Sequence, residues 1–205
     1  MKTIPFSSPD IQNSDLKAVE SVIRSGWLAH GEYSKKLEQL FCEYTGAKYA
    51  TTVSNCTAGL HLSCLAAGFS SGDEVIVPAQ THTATAHAVE FTGAKAVFGD
   101  VNPLSGNIFI EELDRKLTDQ TKGIIPVHMA GYPCDIEKIK VFCQKHNLIL
   151  IEDCAHAVGT IVNGIHAGNF GITGCFSFYP TKQITTGEGG VIISNDKSVI
   201  DKIKK

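Results

Sequence analysis

Long apolar runs are missing from this sequence. The most continuous ones, residues 148–151 and 190–193, fall far short of the roughly 20 residues that span a bilayer, which excludes a membrane helix. A basic excess is missing too: 18 Lys and Arg stand against 21 Asp and Glu, a formal net charge of -3 at pH 7. A general nucleic-acid binder needs a positive field, so a polyanion would have to bind at a local site. The seven cysteines, Cys42, Cys56, Cys64, Cys134, Cys143, Cys154 and Cys175, are odd in number, scattered, and form no C-x-x-C pair. That usage fits reduced thiols in a cytoplasm better than a disulfide frame or a zinc site. Residues 1–10 carry one Lys in a Pro/Ser mixture with no apolar stretch, so no secretory signal is expected.

What the chain does have is core material. At 205 residues, with 43% hydrophobic and 19% charged, it can fill one generous α/β domain or two small ones. Apolar residues at Leu16, Val19, Val22 and Ile23, then at Leu37, Leu40, Phe41 and Tyr44, recur at three and four and predict two amphipathic helices. Seven short strand candidates follow, at 49–53, 74–77, 94–98, 123–127, 148–152, 175–178 and 190–194. Helical patterns at 57–67, 81–91, 111–117 and 135–146 lie between several of them. Strands alternating with helices predict a mainly parallel sheet covered on both faces, with ligands at the carboxyl ends of the strands. No repeat or linker interrupts 49–194, so this stretch reads as one domain. A charged helical start at 199–205 suggests that a further segment belongs to the protein.

Three places carry candidate chemistry. The first strand runs into Ser54-Asn55-Cys56-Thr57-Ala58-Gly59, a small-residue turn opening a helix. Free N–H groups there, with a Thr hydroxyl, suit a phosphate, although Thr57 could equally be a plain helix cap. The Lys and Gly spacing of a Walker loop or a G-x-G-x-x-G is absent. The apolar run at 148–151 delivers Glu152-Asp153 to a buried strand end, followed by His156. A carboxylate there needs a cation or several donors unless it only caps a turn, and His156 alone would be a packed core histidine. Third, Phe176-Ser177-Phe178-Tyr179-Pro180-Thr181-Lys182 precedes Thr185-Thr186-Gly187-Glu188-Gly189-Gly190. Lys182 is either a solvated surface charge or an amine desolvated enough to act as a nucleophile. An anion site, a strand-end acid and a loop amine together are the parts that hold pyridoxal phosphate.

With these motifs on the page, the sequence resembles the DegT/DnrJ/EryC1/StrS family of pyridoxal-phosphate-dependent sugar aminotransferases. The likeness also includes Gly31 with Leu37-Glu38, the run Val77 to Thr85 and the run Ile125 to Gly131, all in family order. It implies a three-layer α-β-α fold with a mainly parallel seven-stranded sheet. Residues 1–30 would form an N-terminal helical segment and 31–205 the cofactor-binding large domain, with the small C-terminal domain absent. By resemblance Lys182 is the Schiff-base lysine and Asp153 the acid that keeps the pyridine nitrogen protonated. Thr57, Ala58 and Ser177 resemble the phosphate-binding set. His156 stands where the family faces the cofactor's phenolic oxygen, and His82 where relatives stack a ring on the pyridine.

The likeness further implies amination of a nucleotide-linked keto sugar with L-glutamate as donor, in a cytoplasmic homodimer whose partner completes each site. No nucleic-acid or membrane partner is expected. Two other outcomes fit the sequence: a fragment that holds the cofactor without turnover, and a sugar dehydratase or lyase on the same fold. A related dehydratase branch carries His in place of the lysine, so Lys182 argues against dehydration.

Overall fold

The computed structural model describes residues 4, 5 and 7–205. The strands are β1 (Tyr49–Val53), β2 (Glu74–Pro78), β3 (Lys95–Gly99), β4 (Thr121–Ile124), β5 (Ile149–Asp153), β6 (Ile161–Val162), β7 (Ile165–His166), β8 (Thr173–Ser177) and β9 (Gly190–Ser194). The helices are α1 (Asn13–Ser25), α2 (Glu32–Thr45), α3 (Cys56–Ala67), α4 (Thr83–Glu90), α5 (Ile110–Lys116), α6 (Ile136–His146) and α7 (Lys197–Ile203).

Seven strands form one sheet in the order β1-β9-β8-β5-β4-β2-β3. Neighbours from β8 through β3 pair parallel, and β9 pairs antiparallel with both β8 and β1. One strand therefore opposes six that share a direction. The expected mainly parallel, seven-stranded sheet is what forms.

Because side chains alternate along a strand, each strand feeds two cores. Val75, Val77, Ile125, Ile151, Cys175 and Ile192 pack under α3, α4 and α7. On the other face, Ile76, Ile124 and Leu150 meet α5 and α6, and Phe176, Val191 and Ile193 meet Phe41 of α2. Phe41 lies edge-on to Phe176 with ring centroids 4.9 Å apart. The two faces make three layers, as the helix and strand alternation predicts.

Four details depart from the sequence reading. The strand expected over 123–127 ends at Ile124, because Pro126 cannot donate to a ladder; Val127 keeps a single bridge to Asp153. The helix expected from 81 begins at Thr83, since His82 takes the cap position and accepts the Ala84 N–H through Nδ1. A small hairpin, β6–β7, closes on Asn163 and Gly164, both at positive φ. Finally, α1 forms as its periodicity predicts but buries none of its residues; Leu16, Val19 and Ile23 are 59%, 58% and 64% exposed.

Close backbone contact constrains β8. A Cβ on Gly174 would press on the Gly168 Cα and lie 2.8 Å from the Gly168 carbonyl oxygen. Backbone cannot swing away as a side chain can, so Gly174→Ala is expected to lower unfolding stability by about 1–3 kcal/mol. A denaturant midpoint that falls at unchanged m-value would confirm this, and an unmoved midpoint would contradict it.

Candidate active site

Six strands pointing one way put their carboxyl ends, and the loops that follow, along a single edge, where an open α/β sheet takes its ligands. A cleft of about 440 Å³ lies there. Asn55 and Thr57 enter it after β1, Thr81 and His82 after β2, and Val127 after β4. Asp153 closes β5, Ser177 closes β8, and Lys182 comes from the loop between β8 and β9.

At the first of these places Asn55, not Thr57, caps α3: its Oδ1 accepts the Ala58 N–H at 2.8 Å. Ala58 is thereby engaged within the turn and is not among the cleft-lining residues, whereas Thr57 is. The N–H groups of Cys56 and Thr57, at the first two helical positions, have no acceptor inside the helix. They and the Thr57 hydroxyl face a position suited to an anion.

Glu152 and Asp153 share a buried strand end but point to opposite faces. Glu152 accepts the N–H groups of Gly168, Phe170 and Gly171 at 2.7–2.8 Å and lies 3.1 Å from His128 Nε2. The Cys134 N–H is aimed at His128 Nδ1, so the ring proton sits on Nε2 and is donated to Glu152. His128, Glu152 and Cys154 come close enough to suggest a metal site. Yet with four donors on its carboxylate and both imidazole nitrogens engaged, the group has no free ligand atom on Glu152 or His128 for a cation.

Asp153 is less heavily engaged. Its Oδ1 accepts the Ala155 N–H at 3.0 Å and its Oδ2 accepts the Thr85 hydroxyl at 2.8 Å, leaving lone pairs toward the cleft. Its backbone is pinned by the segment after β4, through Asp153 N–H to Pro126 O and His128 N–H to Asp153 O.

Lys182 is half-buried in the same cleft. Burial lowers the pKa of its amine, and the nearby Asp153 charge partly opposes that shift. The neutral, nucleophilic form is thus easier to reach than in a solvated lysine. His156 is held by an unusual turn. Ala130 adopts φ 52, rare for a residue with a Cβ, and from there its N–H meets His156 Nδ1 at 3.2 Å. The neutral ring then carries its proton on Nε2. Burial first, and the Lys182 charge second, lower the His156 pKa from its ordinary 6.5.

Of the seven residues expected from sequence, Thr57, His82, Asp153, His156, Ser177 and Lys182 therefore line one cleft, and Ala58 stands just behind it. Sequence reading passed over Thr85 and Ala130. Both lie in runs that carry the family likeness, Val77 to Thr85 and Ile125 to Gly131, but neither was singled out; Thr85 also has a hydroxyl four residues from Thr81.

With that geometry in place, known proteins supply the class. The sequence model of the DegT/DnrJ/EryC1/StrS aminotransferase family matches residues 9–205. The chain belongs to this family. It is 42% identical over 203 residues to the GDP-perosamine synthase of Escherichia coli O157:H7, covering 98% of this chain and 56% of that one. Among solved structures it resembles the aminotransferase from Psychrobacter cryohalolentis, with TM-score 0.93 and 39% identity over 98% of this chain and 52% of that one. It also resembles the E. coli GDP-4-keto-6-deoxy-D-mannose-3-dehydratase with bound hydrated PLP, with TM-score 0.90 and 33% identity over 97% and 53%. The chain thus spans about half the length of the relatives it matches.

The His156 arrangement predicts one tautomer. Nitrogen-15 NMR of the imidazole should find a single proton on Nε2 at pH 7 and a titration midpoint below the ordinary imidazole value. As the pH falls through that range, the unfolded chain takes a proton that folded His156 refuses, so stability falls with it. A proton on Nδ1, or an unshifted midpoint, would contradict the geometry.

Proposed function

We propose that this chain is the cofactor-binding part of a pyridoxal-phosphate-dependent transaminase that aminates a nucleotide-linked keto sugar with an amino acid, L-glutamate, as donor. The carrying observation is the convergence of Lys182, Asp153 and the N-terminus of α3 on one cleft. Each alone has an ordinary structural explanation; together they match the three chemically distinct parts of one cofactor: an anion, a basic ring nitrogen and a carbonyl. The donor set fits the group.

Pyridoxal phosphate, when bound, supplies a carbonyl that takes up amino groups and a ring that accepts the electron pair left on carbon when a proton departs. In this reading the N–H groups of Cys56 and Thr57, with the hydroxyls of Thr57 and Ser177, bind the phosphate. Asp153 holds a proton on the ring nitrogen, an electrostatic contribution greatest in a site shielded from water. His156, lining the cleft, would direct its Nε2 proton to the phenolic oxygen, and His82 would offer its ring to the face of the pyridine. Lys182 would hold the carbonyl end of the group through its amine, and when that amine is free it would be the base for the proton on the donor's α-carbon. In the net exchange the donor would leave as its keto acid and its amino group would replace the sugar's ketone oxygen, with the water lost on one condensation matching the water consumed on the other release.

The substrate class rests on family membership and on the names of relatives, and the donor on family membership alone. Lys182 favours transamination over the dehydration named for one similar structure. No helix among the described residues is long and apolar enough to cross a membrane. A cytoplasmic homodimer, with the partner completing each site, belongs to the same proposal, as does the division into residues 1–30 and a large domain over 31–205.

Two variants test this reading. Lys182→Ala should remove the visible absorbance of bound cofactor while the thermal midpoint stays near wild type; an unchanged spectrum would take Lys182 out of its role. Asp153→Asn should slow bleaching of that absorbance by glutamate about 100-fold or more, the scale of losing one preorganised electrostatic partner. A rate near wild type would assign the ring nitrogen another partner.

A further inference from the structure

Asp153 can serve its proposed role only if the plane of its carboxylate stays fixed. That condition leads to a residue on a different layer. Thr85, in α4, is fully buried, and its Oγ1 lies 2.8 Å from Asp153 Oδ2 and 2.8 Å from Thr81 Oγ1. An ionised carboxylate only accepts, so Thr85 donates to it and the lone pairs of Thr85 remain for the Thr81 hydroxyl. The chain of donors runs from Thr81, at the cleft, through Thr85 to Asp153.

Nothing in the local structure otherwise calls for this side chain. Thr is a weaker helix former than the Ala residues beside it, and a buried hydroxyl without a partner is costly. With Oδ2 tied to α4 and Oδ1 tied to the Ala155 N–H, the carboxylate cannot rotate about its Cβ bond without losing a hydrogen bond.

We propose that Thr85, backed by Thr81, is a positioning residue of this centre: its hydroxyl fixes the plane of the Asp153 carboxylate and so aims it at the ring nitrogen of the bound cofactor. The inference rests on the pyridoxal phosphate reading above. It goes further in assigning a function to a buried helix residue that touches neither cofactor nor substrate.

The test uses the full chain titrated with pyridoxal phosphate. Thr85→Val keeps the shape and removes the hydroxyl; it should fold, bind the cofactor about tenfold more weakly and display a displaced visible band. Thr85→Ser keeps the hydroxyl and removes a methyl; it should restore affinity and band position even if its thermal midpoint drops. Thr81→Val, which removes the outer donor alone, should shift the band in the same direction by less, and it carries the test if Thr85→Val fails to fold. Wild-type behaviour of both valine variants would overturn the proposal, as would a serine variant no better than valine, which would make the effect one of packing. A wild-type chain that takes up no pyridoxal phosphate would overturn the cofactor reading itself, before any variant is compared.

Discussion

A carboxylate at the buried end of a central strand is costly unless donors surround it, and this structure places two such groups side by side. The strand's alternation sends Glu152 and Asp153 to opposite faces, and the two are treated differently. Glu152 is saturated by three backbone N–H groups and the His128 ring, and those bonds tie residues 168–171 and the segment after β4 to the end of β5. It is a clasp. Asp153 receives one donor on each oxygen and keeps the rest of its capacity for the cleft. The saturated acid holds the strand end still, which gives the unsaturated one a defined position.

The same logic extends to imidazoles. His128, His156 and His82 each accept a backbone N–H at Nδ1, from Cys134, Ala130 and Ala84 respectively. With Nδ1 accepting, each ring directs a proton at Nε2. In His128 that proton is consumed by Glu152, inside the core; in His156 and His82 it belongs to rings that line the cleft. For His156 the fixing N–H comes from a strained residue. Gly131 follows at φ +82, where an added Cβ would lie 3.0 Å from the His156 carbonyl oxygen. Local strain of this kind costs on the order of 1–3 kcal/mol and persists where the surroundings over-determine it. Here the turn is held by the groups it orients.

Much of this was legible in the sequence because it depended on local pattern. Strands β1 and β9 coincide with the expected 49–53 and 190–194, since β-branched runs ended by small polar residues leave little choice of period. The β6–β7 hairpin was legible and overlooked: Asn163-Gly164 between the β-branched Val162 and Ile165 is a strong two-residue turn signal, but strands of two residues fall below any periodicity window. Pro126 likewise announced the end of β4. Other features lay beyond reach in principle. That Asn55 rather than Thr57 caps α3 depends on which neighbour has extended backbone. Thr85 matters only because the fold brings its hydroxyl to the acid at the end of β5, sixty-eight residues along the chain.

The two groups assigned opposite tasks in the cleft sit on supports of opposite stiffness. Asp153 is on a central strand paired on both sides and fixed by backbone bonds from the segment after β4. Lys182 is on the connection between β8 and β9, which is anchored at its base, where Phe178 O accepts from Thr186 N–H and the Thr185 hydroxyl and Phe178 N–H bonds Gly189 O. Beyond that base the Lys182 N–H returns to Tyr179 O, and no hydrogen bond to the amine itself is formed among the described residues. A group that must keep a proton at one atom gains from rigidity. An amine that binds carbon, lets go and then carries a proton between two carbons needs reach along a flexible side chain, and four methylenes on a pinned loop supply it. In the proposed mechanism the fold would thus separate the holding of charge, placed on the sheet, from the movement of a proton, placed at its edge.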